Sequence, residues 1–243
     1  LFYKTRFGAK IIQRVGDLGT HSKPELTKLL KSCYPHSDFL IFPSQWAKDY
    51  IPVPHNNSVV IDNAPMKIFH SNKNTNLAVS EKPKLVTHHW STNPKKGFEI
   101  YEQLQSYIKA TGEYEFTYIG RLPENVRLDN HVQPVGAKEL SNLLPNHDIY
   151  ITASKEEAGA NHVLEAMAAG LPVVYHAAGG SINNYCKEYG EMFFGFDGLL
   201  ESITRVITNY KNIKSKVLTY EKDNSCVVEG YVDIIERFGD EKE

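Results

Sequence analysis

The sequence predicts an α/β protein built on doubly wound parallel sheets. Three observations carry this. Short apolar runs of strand length alternate with helix-period segments along most of the 243 residues. One short apolar run, residues 148–153, reads as a buried parallel strand. Small or glycine-bearing turns follow several of these runs: Gly16-Asp17, Gly120-Arg121 and Gly179-Gly180. The composition is 41% hydrophobic and 23% charged, ordinary for a globular chain, and the length suits one large or two small domains.

Taken in order, residues 10–15 form a β-rich run that enters the loop Gly16-Asp17-Leu18-Gly19. Pro24 suits a helix start, and Leu26, Leu29, Leu30 and Cys33 follow at helical spacing. Residues 39–42 predict a strand. Ser44 caps a helix over 45–50 that Pro52 stops, and 58–61 is a further strand. Residues 62–82 lack periodicity and are rich in Asn, Ser and Lys. They suit an interdomain linker, or a surface loop inside one domain.

A second series predicts strands at 84–87, 115–119, 132–135, 149–152, 171–175 and 192–194. Helices are expected at 95–109 (Phe98, Tyr101, Leu104 and Ile108 inward), at 137–144, from Asn161 as cap to 169, and from Ser181. Two more follow at 197–210 and 212–218. A last amphipathic helix over 225–238 carries Val228, Tyr231, Ile234, Ile235 and Phe238. The expected organisation is 1–75 as the end of one α/β domain plus connection, 82–222 as a second α/β domain, and 223–243 as a helix packing back on the first. Because the chain begins with Leu1, it is expected to be part of a longer polypeptide.

The net charge of −2, with both signs interspersed, offers no basic field for nucleic acid and no acidic tail for a basic partner. Cys33, Cys186 and Cys226 are odd in number and far apart. They argue against a disulfide framework or a cysteine metal site and fit a reducing compartment, so a cytoplasmic location is expected. No apolar run approaches the ~20 residues of a membrane span, which leaves peripheral membrane contact open.

The chemistry gathers at predicted strand ends. Thr87 to Gly97 is a polar loop with Lys95 and Lys96 beside a helix start, where N–H groups and ammonium charge suit a phosphate; a solvated loop with surface lysines is the alternative. His88 and His89 are adjacent in a strand, so they point to opposite faces, and no third metal ligand is evident. Gly120-Arg121 and Gly179-Gly180 close two further strands, where an Arg can fork an anion and glycines allow close approach. Neither Gly-x-Gly-x-x-Gly after a first strand nor a Walker A loop is present. Between two strands, Glu157 and Glu165 frame a strand–turn–helix unit, and carboxylates there accept from sugar hydroxyls. Their alternatives are a helix-start charge and a solvated helix face.

Glu157, seven residues and Glu165, followed by Ala166-Met167-Ala168-Ala169-Gly170-Leu171-Pro172-Val173-Val174, resembles the E-x7-E signature of retaining GT-B glycosyltransferases, the family 4-like, group 1 enzymes. Lys96-Gly97 resembles that family's Lys-Gly at the first helix of its nucleotide domain, and Tyr118-Ile119-Gly120 its glycine turn. Ser37 to Ser44 resembles its aspartate–strand–serine segment, and Val60-Ile61-Asp62-Asn63 the lead into its linker.

The resemblance implies a Rossmann-like nucleotide-sugar domain, a partial second Rossmann-like acceptor domain and an N-terminally truncated chain. It implies transfer of a sugar, with retention, from a nucleotide-diphosphate donor to a hydroxyl of a glycan, lipid or protein, with no cofactor or metal. Lys96 would neutralise the diphosphate, helped by backbone N–H groups of Ala160, Asn161 and His162. Glu165 would hold the ribose and Glu157 the transferred sugar. The family's second cation, an Arg ahead of the Lys, is replaced here by Trp90-Ser91; either Arg121, Lys95 or His89 substitutes, or binding is weaker. Asp17, with Arg14 and His21, is expected on the acceptor side, with plain surface-loop residues as the alternative. A GT-B epimerase or phosphorylase, or a nucleotide-sugar-binding protein without turnover, remains the alternative.

Overall fold

The computed structural model describes residues 1–21, 23–51 and 57–240. Its first part runs α1 (Phe2–Phe7), β1 (Ile12–Arg14), α2 (Pro24–Cys33), β2 (Phe39–Phe42), α3 (Gln45–Tyr50) and β3 (Ser58–Val60). The strands pair in parallel in the order β1-β2-β3, with Ile12 beside Phe39 and Leu40 beside Ser58. Pro24 opens α2, and the Ser44 hydroxyl accepts from the Ala47 N–H at 3.0 Å to cap α3. The stop expected from Pro52 lies outside the described residues. Leu18, Leu40 and Phe42 are fully buried in a small core.

The second part continues with β4 (Lys84–His89), α4 (Phe98–Thr111), β5 (Glu115–Gly120), β6 (His131–Val132), α5 (Ala137–Leu143), β7 (Ile149–Thr152) and α6 (Asn161–Ala168). It ends with β8 (Val173–His176), α7 (Ser181–Cys186), β9 (Gly190–Phe193), α8 (Gly195–Thr208), α9 (Tyr210–Leu218) and α10 (Asn224–Asp240). Its six strands are all parallel, in the order β6-β5-β4-β7-β8-β9. The chain therefore builds outward from β4 in one direction, then from β7 in the other. The crevice beyond the carboxyl ends of β4 and β7, where the winding reverses, is the place such sheets offer a ligand. Leu85 and Ile149 on these two strands are fully buried between the helix layers.

Several local expectations are corrected. The helix expected from residue 95 starts at Phe98. Pro94–Lys96 is a separate 3-10 turn, because the Asn93 side chain accepts from the Lys95 N–H and Pro94 fixes the turn. Lys95 and Lys96 therefore precede the helix. The strand expected over 132–135 ends at Val132, two residues before Pro134, which has no N–H to give a ladder. Asn161 is the first residue of α6, not its cap; Ala160 holds that position, with no side-chain cap. In α10, Tyr231 and Phe238 are half-buried and Ile234 is buried, but Val228 and Ile235 are exposed, since one face cannot take the whole expected set. α1 was not foreseen. Most other boundaries shift by one or two residues.

The segment 62–82 carries a 3-10 turn, Lys67–His70, whose Phe69 is fully buried in the main core. Asn74 pins it further: its N–H donates to Ala169 O at 2.9 Å and its amide to His147 O at 2.7 Å. Phe69→Ala is expected to cost about 3–5 kcal/mol, the usual range for emptying a core phenylalanine. Urea denaturation of both proteins checks this. α10 lies against the small sheet: the Phe238 and Phe39 rings are 5.3 Å apart, and Arg14 Nε donates to Tyr231 Oη at 2.8 Å. Among the described residues, no helix is long and apolar enough to cross a membrane.

Candidate active site

The turn between β7 and α6 is shaped by its neighbours. Glu156 lies in the left-handed region at φ 54°, an uncommon setting for a side-chain-bearing residue. Three contacts hold it there: its N–H donates to Ala178 O, its carbonyl accepts from Thr20 Oγ1, and its carboxylate meets Lys95 Nζ at 2.5 Å. The backbone of Glu157 pairs with the Gly179-Gly180 turn, donating to Gly179 O at 3.1 Å and accepting from Ser181 N at 2.9 Å. A Cβ on Gly180, whose φ is 71°, would stand 2.6 Å from Glu157 O. The two glycines were expected to let a ligand approach; Gly180 instead lets Glu157 approach, and a Cβ on Gly179 would meet Asn183, Ile182 and His176 O.

With its backbone fixed, Glu157 points its carboxylate at Lys96, and the two side chains form a close ion pair. Both are largely buried, with 11% and 13% of their side chains exposed. His21 Nε2 lies 4.0 Å from the same carboxylate and 3.0 Å from Lys155 O. Eight residues on, Glu165 faces the same crevice from α6, and its Oε2 is 2.8 Å from His88 Nε2.

These groups line a continuous crevice of three adjoining cavities. An apolar one of about 320 Å³ lies beyond β4 and β5, walled by Phe69, Trp90, Ile119 and Val135, with Gly120 at its floor. A middle one of about 320 Å³ is bounded by Glu165, His88, Lys96, Glu157, Asn161 and His162. A polar one of about 300 Å³ reaches the small sheet and is lined by Asp17, Thr20, His21, Asn93, Lys96 and Glu157. Glu165 borders the first two, and Lys96 with Glu157 the last two. Contacts across the crevice hold the 17–21 loop in place: Lys95 Nζ donates to Thr20 O and Asn93 Nδ2 to His21 O.

Not every expected residue serves as foreseen. The Ala160 N–H donates to Ser181 Oγ at 3.1 Å, so it is not offered to the crevice. The Asn161 side chain accepts from Asn63 Nδ2. Its backbone N–H and that of His162 begin α6, where the first-turn donors have no helical partner. His162 is buried with Nε2 3.0 Å from Thr152 Oγ1. His89, expected as a replacement cation, is fully buried against Tyr101, its Nε2 2.7 Å from the hydroxyl. Burial first, then the charge of Lys96, holds both imidazoles well below their usual range, so His89 supplies no charge. Arg121 stacks over Trp90 at 4.6 Å and lines a separate cavity with Thr92 and Arg127. Lys95 is spent on Glu156 and Thr20. Among the described residues, Lys96 is the one Lys or Arg in the middle cavity. Asp17 reaches the polar cavity, one oxygen taken by the Gly19 N–H and the other 3.3 Å from Lys23.

The sequence also underrated some residues. Phe69 and Thr20 carried no signal, and Trp90 stood out only as the replacement of a cation. His88 stood out only as half of a His-His pair.

The neutral histidines make a pH expectation. His89 and His162 stay unprotonated in the fold, whereas in the unfolded chain they take protons below about pH 6.5. Their contribution is therefore complete above that pH and lost as pH falls below it, at up to ~1.4 kcal/mol per pH unit for each. Urea midpoints at two pH values should show this, with a smaller loss in His89→Gln than in wild type.

Residues 86–209, just over half of the chain, match the family described as "Glycosyl transferases group 1". Against curated protein sequences nothing matches. Among solved structures, sucrose-phosphate synthase from Thermosynechococcus elongatus is similar with TM-score 0.74 and 13% identity, over 98% of this chain and 70% of that one. HepE of Anabaena, in complex with UDP and glucose, gives 0.71 and 14%, over 96% and 73%. WaaG, a glycosyltransferase involved in lipopolysaccharide biosynthesis, gives 0.67 and 16%, over 92% and 74%. At these identities the likeness speaks for the fold alone.

Proposed function

The chain belongs to the group 1 glycosyl transferases and has their GT-B fold, and on that premise we propose that it transfers a sugar from a nucleotide-diphosphate donor to a hydroxyl acceptor, with retention and without a metal ion. The observation that carries this reading is the line Glu165, Lys96, Glu157 along one crevice at the winding reversal of the sheet. That order matches the parts of a nucleotide sugar laid end to end. The apolar cavity suits the base, Glu165 the ribose diol, and Lys96 the diphosphate, with the first-turn N–H groups of α6 beside it. Glu157 then meets the sugar, and the polar cavity with Asp17 and His21 receives the acceptor.

The charge leaving with the diphosphate is stabilised by Lys96 and the α6 N-terminus, groups fixed before reaction begins. Retention follows if the acceptor hydroxyl enters on the face the diphosphate leaves. Its proton then passes to a leaving phosphate oxygen, while the new C–O bond forms and the old one breaks. The UDP and glucose held by HepE support the donor class.

A panel of UDP, GDP and ADP tests the reading. One of them is expected to raise the melting temperature, the stabilisation reaching about 2.7 kcal/mol at a hundred times Kd. Glu165→Ala should weaken that nucleotide, and Glu157→Ala should keep it while losing transfer. No shift with any nucleotide at millimolar concentration sinks the proposal. Binding without product would favour a nucleotide-binding protein without turnover.

A further inference from the structure

His88 is the buried partner of the carboxylate to which the ribose is assigned. It stands near the end of β4, a strand paired on both sides, and is 8% exposed. Its backbone is bracketed by one hydroxyl: the His88 N–H donates to Tyr150 Oη at 3.1 Å, and that hydroxyl donates to His88 O at 3.2 Å. The Tyr150 ring packs edge-on against the imidazole, 5.4 Å between centroids. So held, the ring has one side-chain hydrogen bond among the described residues, Nε2 to Glu165 Oε2 at 2.8 Å; Nδ1 is buried with no partner. A nitrogen that lies so close to a carboxylate oxygen is the donor, because the carboxylate can only accept.

We infer that His88 is a positioning residue, which fixes the Glu165 carboxylate so that its remaining lone pairs meet the two ribose hydroxyls. This rests on the ribose role given to Glu165 above. Glu165 sits on a helix, and a glutamate side chain there has several rotatable bonds to order when a ligand arrives. The His88 bond takes one accepting direction of Oε2 and orders the group beforehand, leaving Oε1 and the rest of Oε2 for a diol. The histidine thereby acts on ribose recognition through Glu165. The imidazole on β4 and the carboxylate on α6 are 77 positions apart, and only the fold brings them together.

The test compares the nucleoside diphosphate that binds the wild type, from UDP, GDP and ADP, with its 2′,3′-dideoxy counterpart, by calorimetric Kd. Wild type is expected to favour the ribonucleotide by roughly tenfold or more, a preference that Glu165→Ala abolishes. His88→Leu, which fills the space and cannot donate, should cut the preference to roughly a third or less of its wild-type size. His88→Gln, whose amide can still donate to Glu165, should recover most of it. His88→Ala is the replacement if the leucine variant does not fold. A merely structural role would weaken both nucleotides alike and leave their ratio unchanged. Full preference in His88→Leu, beside its loss in Glu165→Ala, overturns this inference alone. Absence of nucleotide binding, or full preference in Glu165→Ala, overturns the ribose assignment and this inference with it.

Discussion

Lys96→Met is expected to lower stability by about 3 kcal/mol and transfer by 10²- to 10³-fold. Both losses come from one side chain. Lys96 and Glu157 pair where each has little more than a tenth of its side chain exposed, so removing the ammonium leaves a carboxylate almost without solvent. Breaking one side of a buried pair is more damaging than removing both, because the survivor keeps its full desolvation cost. The double variant Lys96→Met with Glu157→Gln should therefore regain most of the lost stability, since neither remaining side chain carries a charge. It should regain no activity, since the ammonium proposed to face the leaving diphosphate is still missing. Urea denaturation of the four proteins gives the coupling between the two residues, and a product assay gives the second half. A double variant that loses the sum of the two single losses would mean that the pair contributes nothing as a pair.

Gly120→Ala is expected to cost about 4 kcal/mol and to abolish nucleotide binding with it. Gly120 has φ 126°, which side-chain-bearing residues seldom adopt, and a Cβ there would lie 2.0 Å from His89 O. The obstacle is backbone in the neighbouring strand, so no side chain can swing aside. Strain of about 1–3 kcal/mol adds to overpacking of similar size. Relief requires β5 to move off β4 where Arg121 N donates to His89 O at 3.0 Å, which is also the floor of the apolar cavity. Gly198→Ala is the control. Its Cβ would meet nothing within 4 Å, and within helix α8 the change should be neutral or stabilise by up to about 1 kcal/mol. Chemical denaturation of both variants separates local strain from a general intolerance of alanine.

What the sequence determined by itself is whatever depends on near neighbours along the chain. The apolar run at 149–152 and the helix-period residues of α6 announced a strand–turn–helix unit because strand and helix periods are local. Ser44 announced its cap for the same reason, since its partner is three residues away. The Glu157–Glu165 spacing was legible because both residues lie within that one unit, and Lys96 because it adjoins a recognisable glycine.

What only the tertiary structure decided is which group meets which across that frame. The strand order β5-β4-β7-β8 brings His88 to Glu165, Lys96 to Glu157 and Gly180 to the Glu157 backbone. Ser181 claims the Ala160 N–H, so a donor expected at the crevice is consumed. Burial then overrode residue type: His89 looked like a cation in the sequence and is neutral in the core, while Phe69, in a segment without periodicity, is fully buried at the apolar cavity. The reason is physical. Helix and strand propensity act over a few residues, whereas the register of a parallel sheet and the desolvation of a side chain are set by segments tens of residues away.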